Sequence, residues 1–197
     1  LAVVAILGAI SVPKPKPPPA PPPLPNPNGY DDFLKAGQLV QDLIPSGVSF
    51  RDLEADTLRA IVKTNAEALR LVHLGLTRQT QNRGVFDTNY IPSRMNMILA
   101  TRRLATVMAC EGKLFEFEKQ TNRAAMVYLE TMKYGHESLR GGVLIDRLVG
   151  SACEGIGIYA LRPIVCNLDA QTSRAIARAM ELLETRREPL DEVLAAR

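Results

Sequence analysis

A run of ten prolines limits the fold of this chain more than any other feature of its sequence. The prolines occupy positions 13, 15, 17–19, 21–23, 25 and 27. Because proline fixes φ at about −65° and has no amide donor, the run excludes helix and sheet and predicts polyproline II. At ~3.1 Å per residue it forms a stiff spacer on the order of 45 Å long. Its PxxP matches also fit an SH3-type ligand, but we favour a spacer that lifts a domain off a bilayer.

The spacer divides the chain into an apolar segment at 1–12, the proline-rich linker at 13–28 and a domain at 29–197. The first segment, LAVVAILGAISV, has no charged side chain. As a helix it spans ~18 Å, whereas the hydrocarbon core of a bilayer is ~30 Å thick. We interpret it as part of a membrane anchor or signal segment, and a short buried helix or strand is the alternative.

The side of the membrane follows from weaker signals. Lys14 and Lys16 lie just after the apolar segment, and positive residues there mildly oppose export of the domain. Two charges are weak evidence, and an apolar anchor followed by a rod and a neutral domain is a coherent arrangement. We expect a membrane-anchored protein whose domain lies on the periplasmic, extracytoplasmic side.

The domain at 29–197 is nearly neutral. The whole chain has 24 Lys and Arg against 21 Asp and Glu, and residues 1–28 contribute only Lys14 and Lys16 to these totals. A nucleic-acid binder needs a clustered basic surface, so this balance predicts no nucleic-acid partner. A hydrophobic content of 46% also argues against intrinsic disorder.

Apolar residues recur at helical spacing throughout the domain, and no strand-like alternation interrupts them. The sequence therefore predicts an all-α fold of antiparallel helical hairpins, either as a repeat array or as an irregular bundle. The predicted helices cover 33–44, 51–78, 93–118, 123–134, 143–166 and 170–187, with a short amphipathic piece at 189–196. The longest predicted loop is 79–91.

Three residues, Asn65, Pro163 and Asp169, lead to predictions about the local structure around them. Asn65 lies on the apolar stripe of the 51–78 helix, where a buried amide must find partners, so we expect it to bind a neighbouring backbone group. Pro163 should either kink the last turn of the 143–166 helix or end the helix near Leu161. Asp169 should cap the last helix.

The segment 143–166 is the most apolar one and predicts the central, most buried helix. Its glycines at 150, 155 and 157 each lower helix propensity by roughly 1 kcal/mol relative to alanine. A close helix crossing would explain them. We expect Gly150 or Gly157 to face another helix at near backbone contact, namely the 93–118 helix around Gly112.

The hairpin at 98–134 resembles the tetratricopeptide repeat, a helix pair with small and aromatic residues at fixed positions. The aligned residues are Met108, Glu111, Gly112, Phe115, Ala124, Tyr128 and His136. Gly112 and Ala124 would let the paired helices approach, while Phe115 and Tyr128 would fill the groove. The tryptophan, leucine and proline of the pattern have no match, and no second copy follows at the period of about 34 residues.

The whole layout resembles uncharacterised bacterial envelope proteins of the planctomycete-like type. The anchor, the proline linker and two stretches, PNGYDDFLKAG and RGGVLIDRLVGSACEGIGIYAL, carry this resemblance. The resemblance implies an envelope location and an all-helical fold. It implies no activity.

The two histidines, His73 and His136, stand in no metal-binding spacing. We interpret His73 as a partly buried structural residue and His136 as a cation near a helix end, where it would favour the helix dipole. The sequence contains no phosphate-binding loop, nucleophile elbow or dinucleotide fingerprint. We therefore predict no metal, no cofactor and no catalytic residue.

The three cysteines are predicted to be ordinary buried thiols, because all have apolar neighbours. Cys153 and Cys166 would lie ~20 Å apart on one helix, far beyond disulfide reach. Cys110 can pair with either of them, which would leave one odd thiol.

Glu111 and Glu154 are the acids most deeply embedded in apolar sequence. Two carboxylates facing each other in a helical cavity suit general acid–base chemistry of the glycosidase kind. The structural alternative is that each points outward or pairs with a nearby arginine. The available arginines are Arg102, Arg103, Arg147 and Arg162.

These observations favour a membrane-tethered helical domain that binds a protein partner or acts as a scaffold, without catalysis. Such a domain suits an accessory subunit of a membrane-bound assembly. The alternative is a cell-envelope polymer hydrolase with Glu111 or Glu154 as its general acid. A purely structural spacer is the third hypothesis.

Overall fold

The structure is a computed structural model, and it describes residues 23–82, 90–138, 140–187 and 189. Within these ranges every regular element is a helix, so the all-α prediction is confirmed there. The α-helices are α1 (Gly29–Leu39), α2 (Ala55–Thr64), α3 (Ala66–Leu76), α4 (Tyr90–Phe117), α5 (Thr121–Ser138), α6 (Leu144–Leu161) and α7 (Ala170–Thr185). Short 3₁₀ helices cover Phe50–Asp52 before α2 and Arg162–Asn167 after α6.

Several predicted segments lie outside the described residues. They are the apolar segment 1–12, residues 13–22 of the linker, residues 83–89 of the long loop and all but Pro189 of the final piece at 189–196. Residues 23–28 of the linker are described and are not helical.

Asn65 divides the helix predicted over 51–78 into α2 and α3. Its side chain is buried, accepts a hydrogen bond from the Gln41 amide (2.8 Å) and donates to the Gln41 carbonyl (3.2 Å). It also donates to the carbonyl of Ile61 (3.0 Å) within its own helix. The predicted role of Asn65 as a residue that holds a neighbouring backbone segment is confirmed. The prediction of one continuous helix is wrong, because an asparagine side chain competes for the backbone groups of its own helix.

α4 and α5 form an antiparallel hairpin with a three-residue connection, in which Lys119 has a φ of 63°. Gly112 of α4 lies against the ring of Tyr128, and a Cβ at Gly112 would overlap that ring. The small residue thus permits the close approach that the sequence predicts, and Tyr128 fills the space between the helices.

The close crossing predicted at the glycines of α6 exists, but its partner is α5. A Cβ at Gly157 would lie 2.6 Å from Met132 Cγ and 2.7 Å from the carbonyl oxygen of Tyr128. A Cβ at Gly135 of α5 would lie 2.6 Å from the carbonyl oxygen of Gly150. The expected crossing at Gly112 of α4 is wrong, since the Tyr128 ring occupies that position.

The helix at the centre of the bundle is α5 rather than α6. α5 packs against α3, α4, α6 and α7, and twelve of its 18 residues are buried. Only seven of the 18 residues of α6 are buried. The prediction that the 143–166 segment is the most buried helix is therefore wrong, because one side of α6 faces solvent.

Both ends of the α6–α7 connection follow from local sequence. α6 ends at Leu161, which is the second of the two effects predicted for Pro163, and a 3₁₀ helix that contains Pro163 follows. Asp169 Oδ1 accepts a hydrogen bond from the Thr172 amide at 2.6 Å, which confirms the predicted cap of α7.

Candidate functional site

Glu111, one of the two acids singled out in the sequence, lies on α4 against His73 of α3. Glu111 Oε2 is 2.9 Å from His73 Nε2, and Glu130 Oε2 of α5 is 2.9 Å from His73 Nδ1. Because both ring nitrogens face carboxylates, both can donate only when the imidazole is protonated. His73 therefore joins three helices through one ring.

These two carboxylates hold His73 in its charged form. The hydrogen bond to Glu111, followed by that to Glu130, raises the pKa of His73 to about 10 and outweighs the opposing effect of partial burial. The side chain is 32% exposed, so solvent screens part of the attraction. A charged imidazole has no lone pair for a metal or for proton abstraction. The predicted partial burial of His73 is confirmed, and its contacts with two carboxylates fit a structural role.

Glu154, the second acid, lies on α6 and faces α5 and the end of α7. Arg187 donates a hydrogen bond to Glu154 Oε2 at 2.8 Å. Glu154 Oε1 lies 3.9 Å from His136 Nδ1, and neither of these buried atoms has a hydrogen-bond partner among the described residues. This separation exceeds hydrogen-bond length, so two polar atoms face each other without a bond.

His136 lies near the C-terminal end of α5, as predicted, although α5 extends to Ser138 and not only to the predicted end at Tyr134. It is not a cation there. Its side chain is 3% exposed. Burial lowers the pKa of His136 and outweighs the raising effect of Glu137 and Glu154. The interpretation of His136 as a charged partner of the helix dipole is wrong, because the charged form loses its hydration in this position.

The structure thus brings each singled-out acid to a histidine, and the two acids share no partner among the described residues. The cations that bind them are His73 and Arg187, neither of which is among the four arginines proposed from the sequence. The partners are 38 and 33 residues away along the chain. Helical periodicity reports which face a residue lies on, but not which distant helix meets that face.

The thiols differ from one another in exposure, and all three are free. Cys110 and Cys153 are buried as predicted, and burial raises the pKa of each to about 12. Cys166 is exposed, so that prediction is wrong, because it belongs to the surface 3₁₀ helix after Leu161. In the described ranges no three His, Cys, Asp or Glu side chains are arranged to hold a metal ion.

An apolar groove of about 350 Å³ lies between the C-terminal half of α6 and α7. The side chains that line it include Leu161, Val165, Leu168, Ile176, Ala177 and Met180. Ile176 is the one residue of α7 that is buried. The helical spacing of apolar residues predicts an apolar stripe on α7, and the stripe exists. It is only partly covered, since Met180 is 38% exposed, and an open groove remains beside it.

The groove continues onto the outward side of α6. The stretch Leu144–Asn167 is long and apolar enough to cross a membrane, a test that core helices of soluble proteins also meet. Of the apolar 18-residue window within this stretch, only 39% is buried in the protein. The exposed large apolar residues are Leu144, Leu148, Ile158, Tyr159 and Val165. The apolar residues of α6 therefore form two surfaces. One packs against α5, and the other is exposed to solvent.

Two histidine sites and two exposed apolar surfaces are therefore the features from which the function of these helices has to be inferred. Comparison of the chain with protein-family models, with curated proteins and with solved structures finds no match.

Proposed function

We propose that residues 29–197 form a helical protein-interaction or scaffold domain, held at a membrane by residues 1–12 and without catalytic activity of its own. The observation that carries the proposal is the exposed apolar groove between α6 and α7. Contiguous apolar surface is costly to expose and marks binding sites. The apolar face of a partner helix suits a groove of this chemistry.

The α4–α5 hairpin supports the same proposal. Gly112 lies against Tyr128, two positions that also match the tetratricopeptide pattern. Stacked helix pairs of that kind present binding surfaces without catalytic side chains. We extend the proposal to a tetratricopeptide-like array in an accessory subunit of a membrane-bound assembly.

Site-specific photo-crosslinking in intact membranes tests the groove. A photoreactive side chain in place of Met180 lies in the groove, whereas one in place of Arg174 lies exposed on the same helix outside it. We expect a discrete crosslinked product at position 180 and none at 174. Ala177→Arg, which fills the groove with a charge, should abolish the product. Equal products at both positions, or no effect of Ala177→Arg, would contradict the proposal.

The extracytoplasmic location has a separate test. Protease added to sealed spheroplasts should cut within residues 12–28 and release a folded fragment, because a proline-rich linker offers extended, accessible backbone. Release only after the inner membrane is opened would place the domain in the cytoplasm.

The hydrolase hypothesis with Glu111 or Glu154 as general acid stays a prediction. A general acid must carry a proton that it can deliver to the substrate, whereas Glu111 and Glu154 lie against His73 and Arg187. The geometry favours structural roles for both acids. Loss of polymer hydrolysis in folded Glu111→Gln or Glu154→Gln protein would restore the hypothesis.

A further inference from the structure

The outward face of α6 carries exposed, large apolar side chains towards both of its ends. Leu148 and Tyr159 are 59% and 55% exposed, and Leu144 and Ile158 are exposed beside them. Leu144 lies four residues before Leu148, and Ile158 and Tyr159 follow Leu148 by about three helical turns, so these side chains lie on one side of the helix. The residues between them, Ser151, Ala152 and Gly155, are small and exposed as well.

α6 carries two acids and one arginine, Arg147, which is half-buried. Both acids of the helix, Asp146 and Glu154, are buried. The exposed side therefore has no acid of its own, while Arg162 is exposed at its C-terminal end. The Arg51 guanidinium lies 4.7 Å from the centre of the Tyr159 ring and adds a second positive charge at that end.

This charge pattern indicates which kind of partner can cover the outward face of α6. A two-fold pairing of this side of α6 with a second copy of the chain would place Arg162 against a helix whose two acids are both buried, and so would supply no acid for it from that helix. Anionic headgroups supply that charge, and the acyl region below them accepts the leucines.

We propose that the outward face of α6 lies in the interface of an anionic lipid bilayer, with the helix axis along the membrane plane. Leu144, Leu148 and Ile158 enter the boundary of the acyl region, and Tyr159 lies at headgroup level, where amphipathic rings are enriched. Arg162 and Arg51 meet the lipid phosphates. This contact belongs to the folded domain and shares Ile158 and Arg162 with the groove. It requires the proline-rich linker to lie along the membrane rather than to lift the domain off it.

The helix lies on the bilayer rather than through it. Its inner side is committed to α5, where Gly157 meets Tyr128 and Met132 at near backbone contact. A spanning orientation would remove Glu154 from Arg187 and place two acids at membrane depth, which is costly. The fold therefore presents one apolar side to lipid and keeps the other side inside the protein.

Tryptophan fluorescence of the full chain tests the contact, because the sequence contains no tryptophan. Leu148→Trp and Tyr159→Trp place the indole on the proposed face. Phe117→Trp is the matched control, because Phe117 is 43% exposed and lies at the C-terminal end of α4. Vesicles of equal parts phosphatidylcholine and phosphatidylglycerol should shift the emission of the two face variants to shorter wavelength and leave Phe117→Trp unchanged. Brominated acyl chains should quench the face variants alone.

Vesicle affinity provides the second measurement. Leu148→Gln should weaken partition into the same vesicles by roughly tenfold or more, from the loss of one buried leucine. Arg162→Gln should weaken it by about fivefold through the lost headgroup attraction. Leu39→Gln on α1, where the leucine is 48% exposed, should have little effect. Residues 1–12 are common to all variants and so cancel in the ratios, and thermal melts verify that each variant folds.

Three results would overturn the proposal. The first is a Leu148→Trp emission that vesicles leave unchanged. The second is a shift that follows protein concentration without lipid, which would make a second copy the occupant. The third is equal affinity for purely zwitterionic vesicles with no effect of Arg162→Gln. Because Ile158 and Arg162 also line the groove, Leu148, which lies outside it, separates the two surfaces. A crosslink at position 180 that survives in Leu148→Gln protein with weakened vesicle binding would show that the groove and the lipid contact are independent.

Discussion

α5 and α6 have the same length and cross at close contact, yet the more polar helix is the more buried one. α5 buries twelve of its 18 residues, including His136, Glu137 and Ser138. α6 buries seven and exposes Leu148 and Tyr159. Apolar content therefore does not rank these helices by burial. Their positions among the other helices do.

The central position of α5 gives its polar residues partners on other segments. The Thr80 hydroxyl donates to Glu137, and Lys133 Nζ donates to the Leu76 carbonyl at 2.7 Å. Glu130 binds His73 at 2.9 Å. α6 has more apolar surface than the described fold buries, and that surplus is what makes its outer face a binding surface.

The largest expected difference between the helices comes from one substitution made on each. Leu129 of α5 is 7% exposed, whereas Leu148 of α6 is 59% exposed. Leu129→Ala should lower the free energy of unfolding by about 2–3 kcal/mol, from lost burial and the cavity left behind. Leu148→Ala should change it by less than about 0.5 kcal/mol. Urea unfolding of both variants measures this contrast, and equal losses would mean that the outer face of α6 is covered.

Small-to-large substitution on α6 separates its two sides. Gly157→Leu should cost about 1–3 kcal/mol, because the new side chain meets Tyr128 and Met132 of α5 and forces the helices apart. Gly155→Leu is the matched control, since nothing lies within 4 Å of a Cβ there. Thermal melts should show a lower midpoint for Gly157→Leu only. A similar loss for Gly155→Leu would contradict the open outer face.

The contact between Glu130 of α5 and His73 of α3 should make the stability of the protein depend on pH. The pKa of His73 is about 10 in the folded protein and 6.5 without its partners. A raised pKa means that the stabilisation is fully present below pH 6.5 and is lost as the pH rises to about 10. His73→Gln should therefore cost about 1–2 kcal/mol at acidic pH, a value discounted for partial exposure.

Urea unfolding of wild type and His73→Gln across this pH range measures the difference directly. The gap between the two proteins should shrink as the pH approaches 10. His136→Gln is the comparison, because burial lowers the pKa of that histidine and its imidazole is neutral over the same range. A gap for His73→Gln that does not vary with pH would show that the ring does not bind the two carboxylates as a cation.

Sequence reasoning succeeded where the signal was local. Pro163 ends α6, Asp169 caps α7 and Asn65 holds a backbone segment, because each effect depends on a few neighbouring residues. The class of fold followed from helical spacing for the same reason. Gly112 and Gly157 were also identified as close contacts, since glycine in a helix needs a compensating reason.

The packing of the helices against one another could not be predicted from such local signals. The apolar sequence of the 143–166 segment predicts burial on all sides. It does not indicate that, among the described helices, none packs against the outer side. The pairing of Glu154 with Arg187 and of Glu111 with His73 depends on which distant helices meet. The groove between α6 and α7 depends on the angle of the connection, which the Pro163 signal locates without giving its direction.

The smallest expected effect has the opposite sign from the others. Gly155→Ala should raise the free energy of unfolding by about 0.5–1 kcal/mol, because alanine reduces the conformational entropy of the unfolded chain and favours helix. A Cβ at Gly155 meets open space, whereas one at Gly157 would lie 2.6 Å from Met132 Cγ. Gly157→Ala, the matched control, should therefore destabilise the protein. If Gly155→Ala also destabilises it in urea unfolding without lipid, part of the chain covers the outer face of α6, and the lipid contact would first require that cover to leave.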